Sequence, residues 1–176
     1  SVEALSLSGM KVVLCARNVT AAKDVVKNEI PSSLRSNIRI QELDLSDMNS
    51  IANAAKDIIE NDCGGDCSCE VDVILNNAGV MAPPKRVSTA QDLELQFGTN
   101  HVGHHMLTRL LLPYMRSDGR IVTVASTAHE FGKLEFDNLN YDEGKTNNNS
   151  RKYSSWGAYG QSKLANVLFA KGLDDK

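Results

Sequence analysis

Four short apolar runs punctuate the chain, and a stretch with helical spacing follows each. Residues 11–16 (Lys-Val-Val-Leu-Cys-Ala), 38–44 (Ile-Arg-Ile-Gln-Glu-Leu-Asp), 71–75 (Val-Asp-Val-Ile-Leu) and 120–125 (Arg-Ile-Val-Thr-Val-Ala) are rich in Val and Ile and flanked by turn residues. Runs of that length suit buried strands of a parallel sheet. Between them, Thr20 is placed as the N-cap of a helix over 21–30 that Pro31 ends. Ser46 or Asp47 caps a helix through Ile59, with Ile51, Ala55, Ile58 and Ile59 at helical spacing. Ser88 opens a long helical region to Tyr114, bent near Gly98, and Ser154 or Ser155 starts the last helix, which runs to Lys171. Strands alternating with helices predict an α/β fold, a doubly wound parallel sheet of Rossmann type, in one domain over residues 1–176.

The two ends qualify that picture. Glu3-Ala-Leu-Ser-Leu-Ser-Gly9 reads as the last turns of a helix, closed by Gly9 and running straight into a strand. A doubly wound sheet places a strand and a tight Gly-rich turn before such a helix, and the final helix leads to a further strand. The sheet is therefore expected to be incomplete at both ends. In the usual strand order the first strand sits between the runs 11–16 and 71–75, so the sheet is also expected to be split down its middle. A partial domain of this kind is not expected to fold stably alone.

Composition narrows the function classes. The 176 residues are 41% hydrophobic with a net charge of −3, enough for one real core and without the basic surface of a nucleic-acid binder. The polar run 142–152, with its three consecutive Asn, reads as a solvated loop and insertion. No apolar stretch approaches a bilayer span; the run 106–112 is broken by Arg109 and stopped by Pro113. The four cysteines suit a reducing compartment, since a chain with this pattern does not need disulfides. Cys63, Cys67 and Cys69 could hold zinc with a fourth ligand, but no nearby His or further Cys supplies one and a surface insertion is the better reading. His101, His104 and His105 recur at helical spacing, for which packing is a cheaper explanation than a metal.

Four features carry chemistry. Asn76-Asn77-Ala78-Gly79 follows the run 71–75, and ligands on such folds sit at the C-terminal ends of strands, although an ordinary Asn/Gly turn accounts for it equally well. Tyr159-Gly-Gln-Ser-Lys163 places a phenol and an ammonium on one helical face. A free phenol is a poor proton carrier at neutral pH, and a neighbouring cation favours its phenolate. Tyr141 and Lys145 share that interval but lie in the polar loop, so they read as solvated; Tyr159 and Lys163 precede the apolar face of Leu164, Val167, Leu168 and Ala170. Ser126, just past the run 120–125, can donate to a substrate oxygen or simply cap the next turn. Asn100, in Gly98-Thr-Asn-His-Val-Gly103, either pins a helix kink or holds a water behind Lys163.

These motifs, together and in order, resemble the short-chain dehydrogenase/reductase superfamily. Tyr-Gly-Gln-Ser-Lys-Leu-Ala-Asn-Val-Leu and Leu-Gln-Phe-Gly-Thr-Asn-His-Val-Gly-His are similar to the branch of retinol dehydrogenase-like enzymes, WW-domain oxidoreductases and the short-chain reductase of the plastid inner-envelope translocon. The resemblance implies a carbonyl/alcohol oxidoreductase acting on a lipophilic small molecule. It assigns Tyr159 as general acid or base, Lys163 as its modulator and ribose ligand, Ser126 as the group that orients the substrate oxygen, and Asn100 as the holder of a relay water. Asn76, Asn77, Ala78 and Gly79 would line the adenosine side of the cofactor, with Asp44 and Leu45 at the adenine. Cys15-Ala16-Arg17 puts an Arg, and no carboxylate, where NAD-binding chains carry an acid; Arg pairs bidentately with phosphate, which favours NADP(H), a solvated surface Arg being the alternative. Without the Gly-rich turn and the strand after the Tyr-Lys helix, residues 1–176 are expected to bind cofactor poorly and to be inactive alone. Two other readings stay open: an NADP(H)-binding scaffold or regulatory domain, and a truncated pseudoenzyme. Homo-oligomerisation, and membrane association through segments outside this sequence, also stay open.

Overall fold

The computed structural model describes residues 1–62, 70–142 and 151–174. Short helix α1 (Val2–Leu7) ends at Gly9, whose φ of 85° turns the chain into strand β1 (Val12–Ala16). Helix α2 (Val19–Glu29), strand β2 (Ile38–Glu42), helix α3 (Met48–Asp62) and strand β3 (Val71–Asn76) follow. β1 pairs in parallel with β2, and β3 pairs in parallel with strand β4 (Met115–Thr123). Among the described residues the strands form two separate two-stranded sheets, with no ladder between β1 and β3, which matches the expected division of the sheet.

One apolar core spans both half-sheets. Leu43 and Leu45, just after β2, and Ile74 of β3 meet Ile51, Ala54, Ala55 and Ile58 of α3 and Leu107 and Leu111 of helix α5 (His104–Leu111). The i, i+3, i+4, i+7 spacing of the α3 residues makes the buried stripe, and Ile51 has no exposed surface. Because side chains alternate along a strand, Leu75 and Val122 point to the face opposite Ile74 and are exposed.

Four expectations need correction. Asn18, not Thr20, caps α2: its side chain accepts from the Ala21 amide at 2.9 Å, and the helix begins at Val19. Ser88 does not open a helix. It bridges to Glu94 across a tight turn with Asp92 at φ 57°, and helix α4 (Leu95–Phe97) starts only where the Glu94 carboxylate accepts from the Gln96 and Phe97 amides. β4 begins earlier and ends earlier than the run 120–125. Its register against β3 slips between Val71 and Val73, where the hydrophilic Arg116-Ser-Asp-Gly119 stretch is accommodated. Tyr141 is not solvated but 1% exposed, held at φ 54° beneath the Arg151 guanidinium, which lies 3.8 Å from its ring. Burial pushes its phenol up to about 12. Lys145 and the Cys63, Cys67 and Cys69 cluster lie outside the described residues.

Candidate active site

The C-terminal ends of β3 and β4 are tied together before any functional side chain is placed. The Val124 amide donates to the Asn76 carbonyl at 3.0 Å, and the Asn76 side chain donates to the hydroxyls of Thr108 (3.0 Å) and Thr123 (3.4 Å). Asn76 is 2% exposed, so its side-chain amide serves to fix the turn. Asn77, Ala78 and Gly79 stand exposed beyond it.

Behind that turn, α4 and α5 are joined by a π-helical turn, Gly98–Gly103. A π turn places one extra residue in a helical circuit and disturbs the carbonyl ladder at that point. Asn100 sits in this turn with no exposed surface. Its Oδ1 accepts from the Val80 amide (2.8 Å), and its Nδ2 donates to the Val80 carbonyl (2.9 Å) and to the Ser162 hydroxyl (3.0 Å). The side chain therefore stitches the segment after β3 to the final helix, α6 (Ser155–Asp174), and neither Nδ2 hydrogen is left for a water. Gly79 lies close to this side chain: a Cβ on it would sit 3.0 Å from Asn100 Oδ1, which would have to shift by a few tenths of an ångström.

α6 starts at Ser154, whose hydroxyl accepts from the Gly157 amide, and carries Tyr159 and Lys163 on one face as the spacing predicts. Lys163 is 5% exposed; its Nζ lies 5.7 Å from the centroid of the Tyr159 ring and donates to the Val124 carbonyl at 3.0 Å. Burial pushes this ammonium below the usual lysine range. Asn166, one turn further, donates to the same carbonyl at 3.3 Å and meets His101 Nδ1 at 3.2 Å. Trp156 meets the Tyr159 ring edge-on at 5.9 Å and is half exposed.

Ser126 reaches this helix through backbone packing. It caps the 3₁₀ turn Thr127–Phe131, its hydroxyl accepting from the Ala128 amide at 3.2 Å. That turn lies directly on α6 at Gly160, where a Cβ would be 2.8 Å from the Ala128 carbonyl; on Gly132 a Cβ would be 2.3 Å from the Gly160 carbonyl. Two glycines thus let the segment after Ser126 lie against the residue next to Tyr159. Among the described residues, the Ser126 hydroxyl, the Tyr159 hydroxyl and the Lys163 ammonium are not hydrogen-bonded to one another; they lie on adjoining segments.

A family model described as short chain dehydrogenase matches residues 1–138. The chain belongs to the short-chain dehydrogenase family. It is 37% identical to retinol dehydrogenase 13 of Homo sapiens over 171 residues, covering 96% of this chain and 47% of that protein. It is 36% identical over 184 residues to the short-chain dehydrogenase TIC 32 B, chloroplastic, of Brassica napus, covering 98% and 52%. The chain thus spans about half the length of the curated relatives it matches. A crystal structure of an uncharacterized protein from Mycobacterium Paratuberculosis superposes with a TM-score of 0.78 at 35% identity, covering 97% of this chain and 55% of that one.

Short-chain dehydrogenases use nicotinamide cofactors, and the residues present fit one. The exposed Asn77-Ala78-Gly79 turn, Arg17 exposed just past β1, and Asp44 just past β2 all lie at the C-terminal ends of their strands. Asp44 already holds its own turn, accepting from the Ser46 amide (2.8 Å) and hydroxyl (2.6 Å), while Leu45 points into the core. Sequence reasoning missed Val80 and Ser162, the two partners of Asn100. It also missed His129, whose Nδ1 meets the Ser126 carbonyl at 2.6 Å. An imidazole three residues after a candidate catalytic serine was the available signal.

Proposed function

We propose that this chain carries the catalytic residues of an NADP(H)-dependent oxidoreductase that interconverts a carbonyl and an alcohol on a lipophilic small molecule. The observation that carries the reading is the buried Lys163, its Nζ 5.7 Å from the Tyr159 ring on the same helical face. When bound, the cofactor supplies or accepts the hydride. The protein's work is to handle the proton and the oxygen. Tyr159 gives its phenolic proton to the carbonyl oxygen in reduction and takes it back in oxidation, with the Lys163 ammonium one helical turn away on the same face. Ser126 Oγ uses one lone pair for the Ala128 amide and keeps its own proton, which it donates to the same substrate oxygen. Lys163 and Asn100 hold the path by which that proton is replaced from solvent.

Two features support the finer points. Arg17, exposed beyond β1, offers a planar fork for a 2′-phosphate. Trp156 presents apolar surface beside the phenol, and the similarity to a retinol dehydrogenase is consistent with a lipophilic alcohol. The test is NADPH oxidation by the full-length protein with a panel of aldehydes and quinones, beside Tyr159→Phe. Losing the proton donor is expected to slow turnover at least about 100-fold. Equal rates in the two proteins sink the assignment.

A further inference from the structure

His104 is a buried titratable group that the reaction above leaves unused. It is 4% exposed at the start of α5, and its Nδ1 lies 2.9 Å from the Asn100 backbone carbonyl. A carbonyl only accepts, so Nδ1 carries the hydrogen and the neutral ring leaves Nε2 as an acceptor. The ring is kept neutral by burial; the Asn100 carbonyl pulls the other way, and the Lys163 ammonium opposes protonation.

The Asn100 side chain has no hydrogen left to donate to a relay water, since both Nδ2 hydrogens go to Val80 and Ser162, and Oδ1 already accepts from the Val80 amide. The Asn100 backbone carbonyl, inside the π turn, is a second acceptor at the same place, and His104 occupies one of its two lone pairs. We propose that His104 is a positioning residue of the proton path: its Nδ1–H orients the Asn100 carbonyl so that the second lone pair faces a water behind Lys163. The idea rests on the reading under Proposed function. It makes His104 act through Asn100, without touching substrate or cofactor.

The chemistry suggests three replacements. His104→Asn returns a donor where Nδ1 stood, His104→Gln puts one where Nε2 stood, and His104→Leu has none. In the full-length enzyme, Leu and Gln are expected to lower kcat about tenfold, the scale of one lost buried hydrogen bond, with KM unchanged. Asn is expected to stay within about threefold of wild type. Histidine-selective 15N NMR on the wild type is expected to show the Nδ1–H tautomer, neutral below the ordinary value of 6.5. An Nε2–H tautomer, a His104→Asn enzyme as slow as a wrongly placed donor makes it, or a His104→Leu enzyme at wild-type rate each overturn the proposal. Should Leu and Gln fail to fold, the Asn variant and the tautomer decide. The Tyr159→Phe control separates the two ideas: Tyr159-dependent turnover that ignores His104 removes only this inference, whereas turnover indifferent to Tyr159 removes both.

Discussion

The two faces of α5 lead to different interiors. Toward α3 lie Ile51, Ala54, Ala55, Ile58, Leu107 and Leu111, an apolar cluster that excludes water. Toward α6 lie Asn100, His104, Ser162, Lys163 and Asn166, all polar and each under 6% exposed. Burying apolar groups stabilises in proportion to the area removed from water, about 25 cal/mol per Å², and asks only for volume. Burying polar groups stabilises little and costs heavily for any member left unpaired, so every donor must meet its acceptor. The first interior therefore holds the fold together, and the second fixes atom positions.

Breaking the apolar side has the largest expected effect. Ile51→Ala removes a fully buried side chain and is expected to cost about 2–5 kcal/mol, read as a lower urea midpoint of the full-length protein. Turnover per folded molecule should be nearly unchanged. Next comes Asn100→Leu, which leaves the Val80 amide and carbonyl and the Ser162 hydroxyl without their partner. Val80 is only half-buried, so water recovers part of what its amide and carbonyl lose; the expected net cost is smaller, about 1–3 kcal/mol, but here turnover falls with it. If Asn100→Leu lost stability while keeping its rate, the division of labour between the two interiors would be wrong.

The smallest effect is a pH dependence. Burial, partly offset by the Asn100 carbonyl, holds His104 below its ordinary 6.5 in the folded protein. Below that value the unfolded chain takes up a proton that the folded chain refuses, so stability falls on acidification and levels off once the buried ring itself protonates. One such site contributes at most about 1.4 kcal/mol per pH unit. His101 is lowered chiefly by burial too and acts in the same sense, whereas Glu94, raised by burial, acts oppositely above 4.5. Thermal unfolding between pH 7 and 5 should therefore fall less steeply in His104→Asn than in wild type; parallel curves would show that the ring is not held neutral by the fold.

Much of this was legible in the residues. Runs of Val and Ile bounded by turns marked the four strands to within a few positions, except at the start of β4, because a buried strand is a local apolar pattern. Tyr159 and Lys163 were legible for a similar reason: an interval of four on an apolar helix sets one face whatever packs against it. Tyr141 shows the limit. It has the same interval to Lys145 and a polar neighbourhood, yet its ring is buried by Arg151 and Tyr153, contacts that no local pattern encodes.

By itself, then, the order of residues determined the strands, the helix stripe of α3 and the placing of a phenol and an ammonium on one helical face. All of these depend on interactions over a few positions of chain. Only the tertiary structure decided that Asn100 spends its side chain on Val80 and Ser162, and that Gly132 and Gly160 bring the segment after Ser126 onto α6. Hydrogen bonds between residues 20 to 62 positions apart depend on tenths of an ångström in how elements pack, and periodicity carries no information at that scale.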